Sequence, residues 1–454
     1  MNQKPKLFLT LVFLAFSFIT KAQQGDGKQQ FAFTLQQAID YAMQNHANVK
    51  NAILDKEIAQ KRVNELIGVG LPQVNGKVNY NYFIEIPTQV IPARAFDPNA
   101  PADLLNAVQF GTQHNSTAGV DASQIIFDGS FFIGVKAAKT FVELSRKTSE
   151  QTKIETAVAV SKAYYSVLVN QERMDLFNAN VARIKKLHDD TKALYDNGFV
   201  EKIDNDRIEV TYNNIVVEKE KTERLLALGM DLLKFQMGMD LNATLTLSDK
   251  LETATLDENV LSNENVDVNK RIEMDILKTT KRLQELNIKV NKYKSYPSLV
   301  AFGSYSQNAY RLNFDFFDSD RRWYTTGLVG ATLNIPLLGG FSRHNKVQQE
   351  KLALKKIENG FESLTQGIML ETKTARTQFQ NALASLQAQK KNRELAAEVA
   401  SVSKIKYDQG VGSNLEVVTA ETSLKEAETN YYSALFDVLI AKIDYAKATG
   451  SLIK

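Results

Sequence analysis

The sequence predicts a mostly α-helical chain with a transmembrane β-barrel portion, built from a duplicated unit of helix, strand, strand, long helix and helix. Three observations predict this fold class. Most of the 454 residues place apolar side chains three or four positions apart, the spacing of a helix face. Four short segments instead alternate apolar and polar side chains with a period of two. The second half of the chain also repeats the first in order and spacing.

The N-terminus has the pattern of a secretory signal. Lys4 and Lys6 precede an apolar run over residues 7–19, and the small-residue site Thr20-Lys21-Ala22 follows it. We therefore expect residues 1–22 to be a cleaved signal peptide and the mature chain to be exported. A transmembrane anchor is the weaker interpretation, because the run is short for a bilayer and polar residues follow it.

Charge and cysteine usage exclude several classes of protein. The 55 Lys and Arg side chains exceed the 52 Asp and Glu side chains by three, and Lys4, Lys6 and Lys21 lie in the predicted signal. The rest of the chain has equal numbers of basic and acidic side chains. A nucleic-acid-binding groove needs a clustered excess of basic side chains, so this class is not indicated. With no cysteine, disulfide frameworks and thiolate metal sites are excluded. After residue 22, no stretch approaches 18 uncharged apolar residues.

The duplication is clearest at two turns. The segment "YDNGFVEKIDNDRIEVTYNN" starts at Tyr195, and "YDQGVGSNLEVVTAETSLKE" starts 212 residues later at Tyr407. Gly198 then matches Gly410. Upstream, "DASQIIFDGSFFIGVKAAK" resembles "ATLNIPLLGGFSRHNKVQQ". We predict a first repeat over residues 23–238, an irregular connector over 239–268 and a second repeat over 269–454.

The elements follow the same order in each repeat. Thr34 with Gln37 three residues later is a capping-box pattern that predicts a short first helix. In the second repeat, Leu354, Ile357 and Phe361 begin a heptad-like seam in a proline-free stretch, which at 1.5 Å per residue would form a rod of about 100 Å. The predicted strands are 73–84, 116–127, 298–307 and 323–335. The predicted long helices are 130–195 and 343–407, the returning helices are 201–237 and 413–449, and the helices leading into the strands are 48–68 and 271–293. The shorter helices stacked end to end would match the length of a long one.

The strands carry the membrane prediction. Val74, Val78, Tyr80, Tyr82 and Ile84 fall on one face of the first strand, and its other face is rich in amides. Such two-faced strands suit a bilayer-spanning barrel with a wet interior. A half-solvated sheet in a soluble protein is the alternative. Export and the long rods favour the barrel.

One chain cannot complete that barrel. Four strands cannot close around water, and open edges in lipid are costly, so several chains must share it; three chains supply twelve strands. Trp323 and Tyr324 suit an aromatic belt at one membrane interface, and simple loop packing is their alternative interpretation.

The chain resembles the TolC-type outer-membrane efflux proteins, also called outer membrane factors. The motifs that carry the resemblance are "QIIFDGS", "NIPLLGGFS", "YDNGFVEKID" and "YDQGVGSNLEVV", in this order across two repeats. The resemblance implies a homotrimer with a twelve-stranded barrel in outer-membrane lipid and a helical tunnel in the periplasm. It also implies passive transport, a periplasmic adaptor (membrane fusion) protein and an inner-membrane pump of the RND or ABC type.

The same resemblance implies roles for the two turns. Asn197, Gly198, Phe199, Gln409, Gly410 and Val411 would form the adaptor-docking tips. Glu416 would be an acid of the periplasmic aperture, Asp204 a locking acid and Tyr407 its tyrosine partner. The lock's usual arginine is Gly412 here, and a second aperture acid is Thr419. Without the resemblance, the glycines could be plain helix stops and the two acids solvated residues of a helix N-terminus.

No catalytic chemistry is visible in the sequence. The four histidines, at 46, 114, 188 and 344, have no ligand spacing, and no phosphate-binding or nucleophile motif occurs. We therefore predict neither enzyme activity nor a metal or cofactor. The main alternative to a duct is a periplasmic coiled-coil scaffold that binds partners and never inserts into a membrane.

Overall fold

The computed structural model of the chain describes residues 30–251 and 267–452. The predicted signal peptide at 1–22 and residues 252–266 of the predicted connector lie outside the described residues. Within them, most of the chain is helical, and the helices begin and end close to the predicted positions. The helices are α1 Leu35–Asn45, α2 Ala47–Val69, α3 Gly129–Asp196, α4 Lys202–Met237, α5 Ile272–Tyr293, α6 Ser342–Asp408 and α7 Asn414–Thr449.

The two repeats have helices of matching length. The long helices α3 and α6 have 68 and 67 residues, and α4 and α7 have 36 each. At 1.5 Å per residue the long helices are about 100 Å rods. The seven prolines among the described residues lie outside the helices, so no missing backbone donor interrupts a rod. Thr34 accepts from Gln37 N–H and the Gln37 side chain accepts from Thr34 N–H, which confirms the predicted capping box.

The shorter helices lie beside the long ones as predicted. Helices α2 and α4 pack along α3, and α5 and α7 pack along α6. Helix α3 also contacts α5 and α7, which joins the two sets. The largest apolar core forms where α1, α3, α4, α6 and α7 meet, around the fully buried side chains of Tyr164, Leu233, Phe379 and Leu439.

A buried arginine, Arg271, forms hydrogen bonds that link α5, α6 and α7. Arg271, just before α5, donates to both carboxylate oxygens of Glu273 at 2.9 and 3.0 Å and to Glu371 on α6 at 2.9 Å. It also donates to the Ala448 carbonyl of α7 at 2.8 Å. One side chain therefore connects the start of α5, the middle of α6 and the end of α7, and its planar guanidinium provides the several donors this requires.

The strands predicted from two-residue periodicity form one antiparallel sheet in the order β2-β5-β7-β8. These strands are β2 Gln73–Tyr82, β5 His114–Phe127, β7 Ser298–Arg311 and β8 Tyr324–Asn334. The third predicted strand continues four residues further than expected. Among the described residues, strands β2 and β8 are the free edges of this sheet, and the sheet is open.

The register gives the sheet two distinct faces. One row pairs Val78 with Ala118, and the adjacent row pairs Asn79 with Thr117. On the polar face, Lys77 forms an ion pair with Asp121 at 2.6 Å, and Thr117 donates to Asn308 at 2.8 Å. Polar groups on this face thus bond to one another across strands, while the opposite face carries apolar side chains.

Four further short strands were not predicted. Strand β1 (Gln30–Phe33) pairs in parallel with β6 (Thr244–Leu247), and β3 (Thr88–Pro92) forms a hairpin with β4 (Leu105–Gln109). The prediction of an irregular connector is therefore wrong for β6. With four or five residues each, these strands are too short for a periodicity signal, and β1 and β6 are joined only by a contact between distant parts of the chain.

A search of the described helices found none with an 18-residue stretch apolar enough to span a bilayer.

Candidate functional site

The turn between α3 and α4 and the turn between α6 and α7 have the same backbone geometry. Gly198 and Gly410 adopt φ of +78° and +75°. Gly198 N–H donates to the Tyr195 carbonyl at 2.9 Å, and Phe199 N–H donates to the Leu194 carbonyl at 2.9 Å. Gly410 and Val411 make the equivalent bonds to Tyr407 and Lys406. Both helices therefore end in a Schellman motif, whose left-handed position favours glycine.

Each turn presents apolar side chains to the outside. Phe199 is 77% exposed and Val411 is 78% exposed. Ile203 and Leu415, one turn into the following helices, are also exposed. These four residues form two pairs at the repeat offset of 212, so both turns carry the same apolar pattern. The prediction named Phe199 and Val411 but missed Ile203 and Leu415, which the repeat alignment could have found.

The predicted gate residues do not meet within one chain. Asp204 accepts a hydrogen bond from Arg207, three residues along α4, at 3.0 Å. The ring of Tyr407 packs against Leu187, Ile208 and Val417, and its buried hydroxyl has no hydrogen-bond partner among the described residues. Within the described part of the single chain, Asp204 and Tyr407 therefore form no hydrogen bond, and the Asp204 carboxylate is bound by Arg207 instead.

Glu416 lies at the start of α7 and is exposed. Its backbone N–H donates to the Ser413 hydroxyl at 3.2 Å, which caps the helix. A carboxylate in this first turn is stabilised by the positive end of the helix dipole, as the alternative interpretation expected. An aperture role for Glu416 depends on neighbouring chains and stays a prediction, as do the roles of Asn197 and Gln409 at the tips.

Two buried glutamates, Glu421 and Glu428 of α7, accept hydrogen bonds from side chains of α3. Arg183 Nε donates to Glu421 at 2.8 Å, and Asn180 Nδ2 donates to Glu428 at 2.9 Å. Burial raises the pKa of the Glu421 carboxyl, and the nearby Arg183 only partly opposes this shift. The prediction missed this cluster. Its sequence signal is the position of Glu421 and Glu428 seven residues apart on a face that also carries Val417 and Leu424.

The proposed aromatic belt divides into two parts. Trp323 lies beside Phe316, with ring centres 6.2 Å apart, at the end of an aromatic cluster that includes Tyr80 and His114. Tyr324, in contrast, pairs in register with Asn308 and so lies on the polar face of the sheet. If the polar face lines a lumen, only Trp323 of the two residues is placed for contact with lipid.

The sequence and the fold of this chain are both similar to those of outer-membrane efflux proteins. Residues 275–451 match the outer membrane efflux protein family. The chain is 18% identical over 426 residues to the outer membrane protein TolC of Vibrio cholerae, which covers 93% of this chain and 92% of that protein. It is 21% identical over 370 residues to the toluene efflux pump outer membrane protein TtgC of Pseudomonas putida, covering 77% of this chain and 72% of that protein.

Solved structures share the fold. The outer membrane protein VceC from Vibrio cholerae superposes with a TM-score of 0.70 at 15% sequence identity, over 92% of this chain and 96% of VceC. The structural similarity to VceC therefore includes both repeats, whereas the match to the family model covers only residues 275–451.

Proposed function

We propose that this chain, which is related to the TolC-type outer-membrane efflux proteins, forms the outer-membrane exit duct of an efflux or type I secretion system. Three copies would share one twelve-stranded barrel in the outer membrane, and their helices would form a tunnel into the periplasm. Transport through this tunnel would be passive diffusion, with energy supplied by a pump in the inner membrane.

The single observation that carries this proposal is the pair of free sheet edges. All residues of β2 and nearly all of β8 are exposed in the isolated chain. An unpaired strand edge in lipid leaves backbone groups unsatisfied, at several kcal/mol for each group. Pairing β2 of one copy with β8 of the next removes both edges, and a ring of three copies yields a barrel large enough for an aqueous interior.

The faces of the sheet support the same arrangement. The apolar side chains on one face are strongly exposed, with Val78 at 77% and Val329 at 86%. Exposure of this extent on a continuous face is unusual for a protein surrounded by water. Lipid would cover that face, whereas the hydrogen-bonded amide and hydroxyl groups of the other face would line the lumen.

The helices also present surfaces that a second copy of the chain would cover. Exposed apolar residues on α4 are seven positions apart in its first half and alternate by three and four further along, as on an unpartnered coiled-coil seam. They are Ile203, Val210 and Val217, then Leu225, Leu228, Leu232 and Phe235. Leu395, Val399 and Val402 form a similar seam on α6. Packing α4 of one copy against α6 of the next would close the helices into a cylinder.

The turns at the far ends of α3 and α6 would receive the partners. Phe199 and Val411 at these tips, with Ile203 and Leu415, offer three copies of two similar apolar patches to a periplasmic adaptor. The adaptor would connect the duct to the inner-membrane pump. This assignment also rests on the names of the relatives, which are efflux proteins of the outer membrane.

Reconstitution tests the duct directly. Protein purified in detergent from outer membranes is added to planar lipid bilayers under voltage, and we expect stepwise increases in ion current as trimers insert. A matched sample carrying Val78→Arg should insert far less often, because an arginine would enter the lipid-facing surface. Membrane insertion without any ion current would contradict the proposal. So would a protein that remains soluble as a folded chain in buffer without detergent.

A further inference from the structure

Helix α7 packs against α3 and α6, and the seam of buried residues on α7 changes in polarity along its length. On α7 the buried positions Asn414, Val417, Glu421, Leu424 and Glu428 are spaced alternately by three and four residues, the spacing of a coiled-coil seam. Three of these five are polar. Further along α7, toward its C-terminal end, buried alanine, leucine and valine residues predominate. The part of the seam nearest the turns therefore has a lower apolar content than the rest.

Glu421 is the most deeply buried carboxylate of this seam. Its residue is 5% exposed, and its oxygen accepts from Arg183 of α3 at 2.8 Å. A cavity of about 110 Å³ adjoins it, lined also by Asn180, Asn214 and Lys425. Since one water occupies about 30 Å³, this cavity could admit a few water molecules and thereby allow a proton to reach the carboxylate.

Charged groups from every packed helix face this carboxylate. Helix α3 contributes Arg183, whose side chain is 35% exposed and so partly hydrated. Helix α7 contributes Glu428, a second buried acid, and Lys425, which forms an ion pair with Glu218 of α4 at 3.2 Å. Helix α6 contributes the charge of Lys404. Glu421 thus has one direct cationic partner that is partly hydrated, while Lys425 is shared with another acid.

We propose that Glu421 is a proton-binding site that tightens the contact between α3 and α7 in acid and loosens it as the pH rises. The two helical hairpins, α3–α4 and α6–α7, would then separate more readily at their turns at neutral and alkaline pH. The separation of the hairpins is a property of one chain. Its consequence for transport rests on the proposed function as an exit duct.

The direction follows from proton linkage. A hydrated glutamic acid titrates near 4.5, and burial in the closed contact raises the pKa of Glu421 above that value. Between the two values the closed form binds more protons than the separated form, so raising the pH through this window disfavours the closed form. One proton per chain changes the ratio of separated to closed contacts by at most about tenfold per pH unit. Below the pKa of the hydrated carboxyl, Glu421 is protonated in both forms, so pH no longer changes the ratio of separated to closed contacts.

Distance measurements between spin labels test the proposal. The chain contains no cysteine, so Phe199→Cys and Val411→Cys together place one label on each turn at exposed positions. Labelled chains are diluted with unlabelled chains, so that the pair within one chain dominates, and the distance distribution is recorded between pH 4.5 and 8. We expect the fraction of separated turns to increase several-fold as the pH rises.

Substitutions distinguish a proton-binding role of Glu421 from a purely structural role of its contact with Arg183. Glu421→Gln should hold the separated fraction constant across this pH range, whereas Glu426→Gln, at an exposed position on the same helix, should retain the wild-type response. Arg183→Gln removes the cation that opposes the shift, so the midpoint of the response should move to higher pH. An unchanged distance distribution at every pH in the wild-type chain would overturn the proposal, as would a wild-type response in Glu421→Gln.

The two proposals fail in different ways. Absence of ion current in lipid bilayers would remove the duct but leave the measured distances within one chain unaffected. A functional duct whose turns do not respond to pH would remove only the role of Glu421.

Discussion

Single residues at the two turns determine how the long helices end. Gly198 and Gly410 have room around them, with no other atom within 4 Å of an added Cβ, but their positive φ strains any other residue. Local sequence was sufficient to identify both turns, because glycine followed by an acidic helix start is a signal read over a few residues. The exposed residues Phe199 and Val411 follow these glycines, so each turn also presents an apolar surface to the outside.

Substitution at the turn should separate assembly from export. We expect Gly410→Trp to leave trimer formation and membrane insertion intact but to abolish export, because the bulky ring alters the surface that the adaptor would bind. Export is measured in cells that depend on this duct, with assembly checked by native gels. Gly340→Trp is the matched control: Gly340 also has positive φ and free space, but it precedes the opposite end of α6. Unchanged export by Gly410→Trp would contradict the tip assignment.

A second residue-scale prediction concerns Arg271. Its side chain is 5% exposed and serves Glu273, Glu371 and the Ala448 carbonyl. Replacing it with methionine removes one donor from each of these acceptors, and breaking such a buried pair costs about 3–5 kcal/mol. Chemical denaturation should show this loss. Arg282→Met is the control, because Arg282 is 57% exposed in its pair with Glu143 and should cost less than about 1 kcal/mol. Equal losses would refute the role given to Arg271.

Sequence reasoning was least informative about residues whose partners lie far along the chain. The capping box of Thr34 and Gln37 was predicted, since both residues belong to one helical turn. The binding of Asp204 by Arg207 was missed although the two are close, because the family resemblance assigned Asp204 another partner. The burial of Glu421 against Arg183 depends on the packing of two helices whose contacting residues are more than 200 positions apart, and no local pattern specifies it.

At the scale of elements, the long helices were the most predictable part of the fold. Their apolar spacing of three and four continues over many turns without proline, and a signal that long has few alternatives. The four long strands were also found from their alternation. Strands β1, β3, β4 and β6 were missed because a run of four or five residues contains too few positions to distinguish a period of two from chance.

Opposite faces of one strand provide a matched test of the lipid assignment. Val78 and Asn79 are neighbours in β2 that project to different faces of the sheet. We expect Val78→Arg to destabilise the protein in lipid by about 2–4 kcal/mol if the residue lies near the bilayer midplane, and Asn79→Arg to cost little in a wet interior. Denaturant titration of the protein in lipid vesicles measures both. Equal tolerance of arginine at the two positions would indicate that neither face meets lipid.

At the scale of the whole molecule, one chain is an incomplete structure. Among the described residues its sheet has two free edges, and helices α4 and α6 carry apolar seams that no described segment covers. Neighbouring copies of the same chain in the proposed closed ring would remove both deficits and would also avoid an open-ended polymer. The number of copies cannot be read from periodicity. The proposed number of three comes from the strand count together with the size of barrel that holds water.

The most direct test of this account is the native mass of the protein extracted from cell envelopes. Membranes are fractionated, the outer-membrane fraction is dissolved in mild detergent, and the mass of the intact complex is measured by native mass spectrometry. We predict recovery in the outer-membrane fraction and a mass of three chains. A folded single chain recovered from detergent-free buffer would contradict the account, because its sheet edges would then need no neighbours.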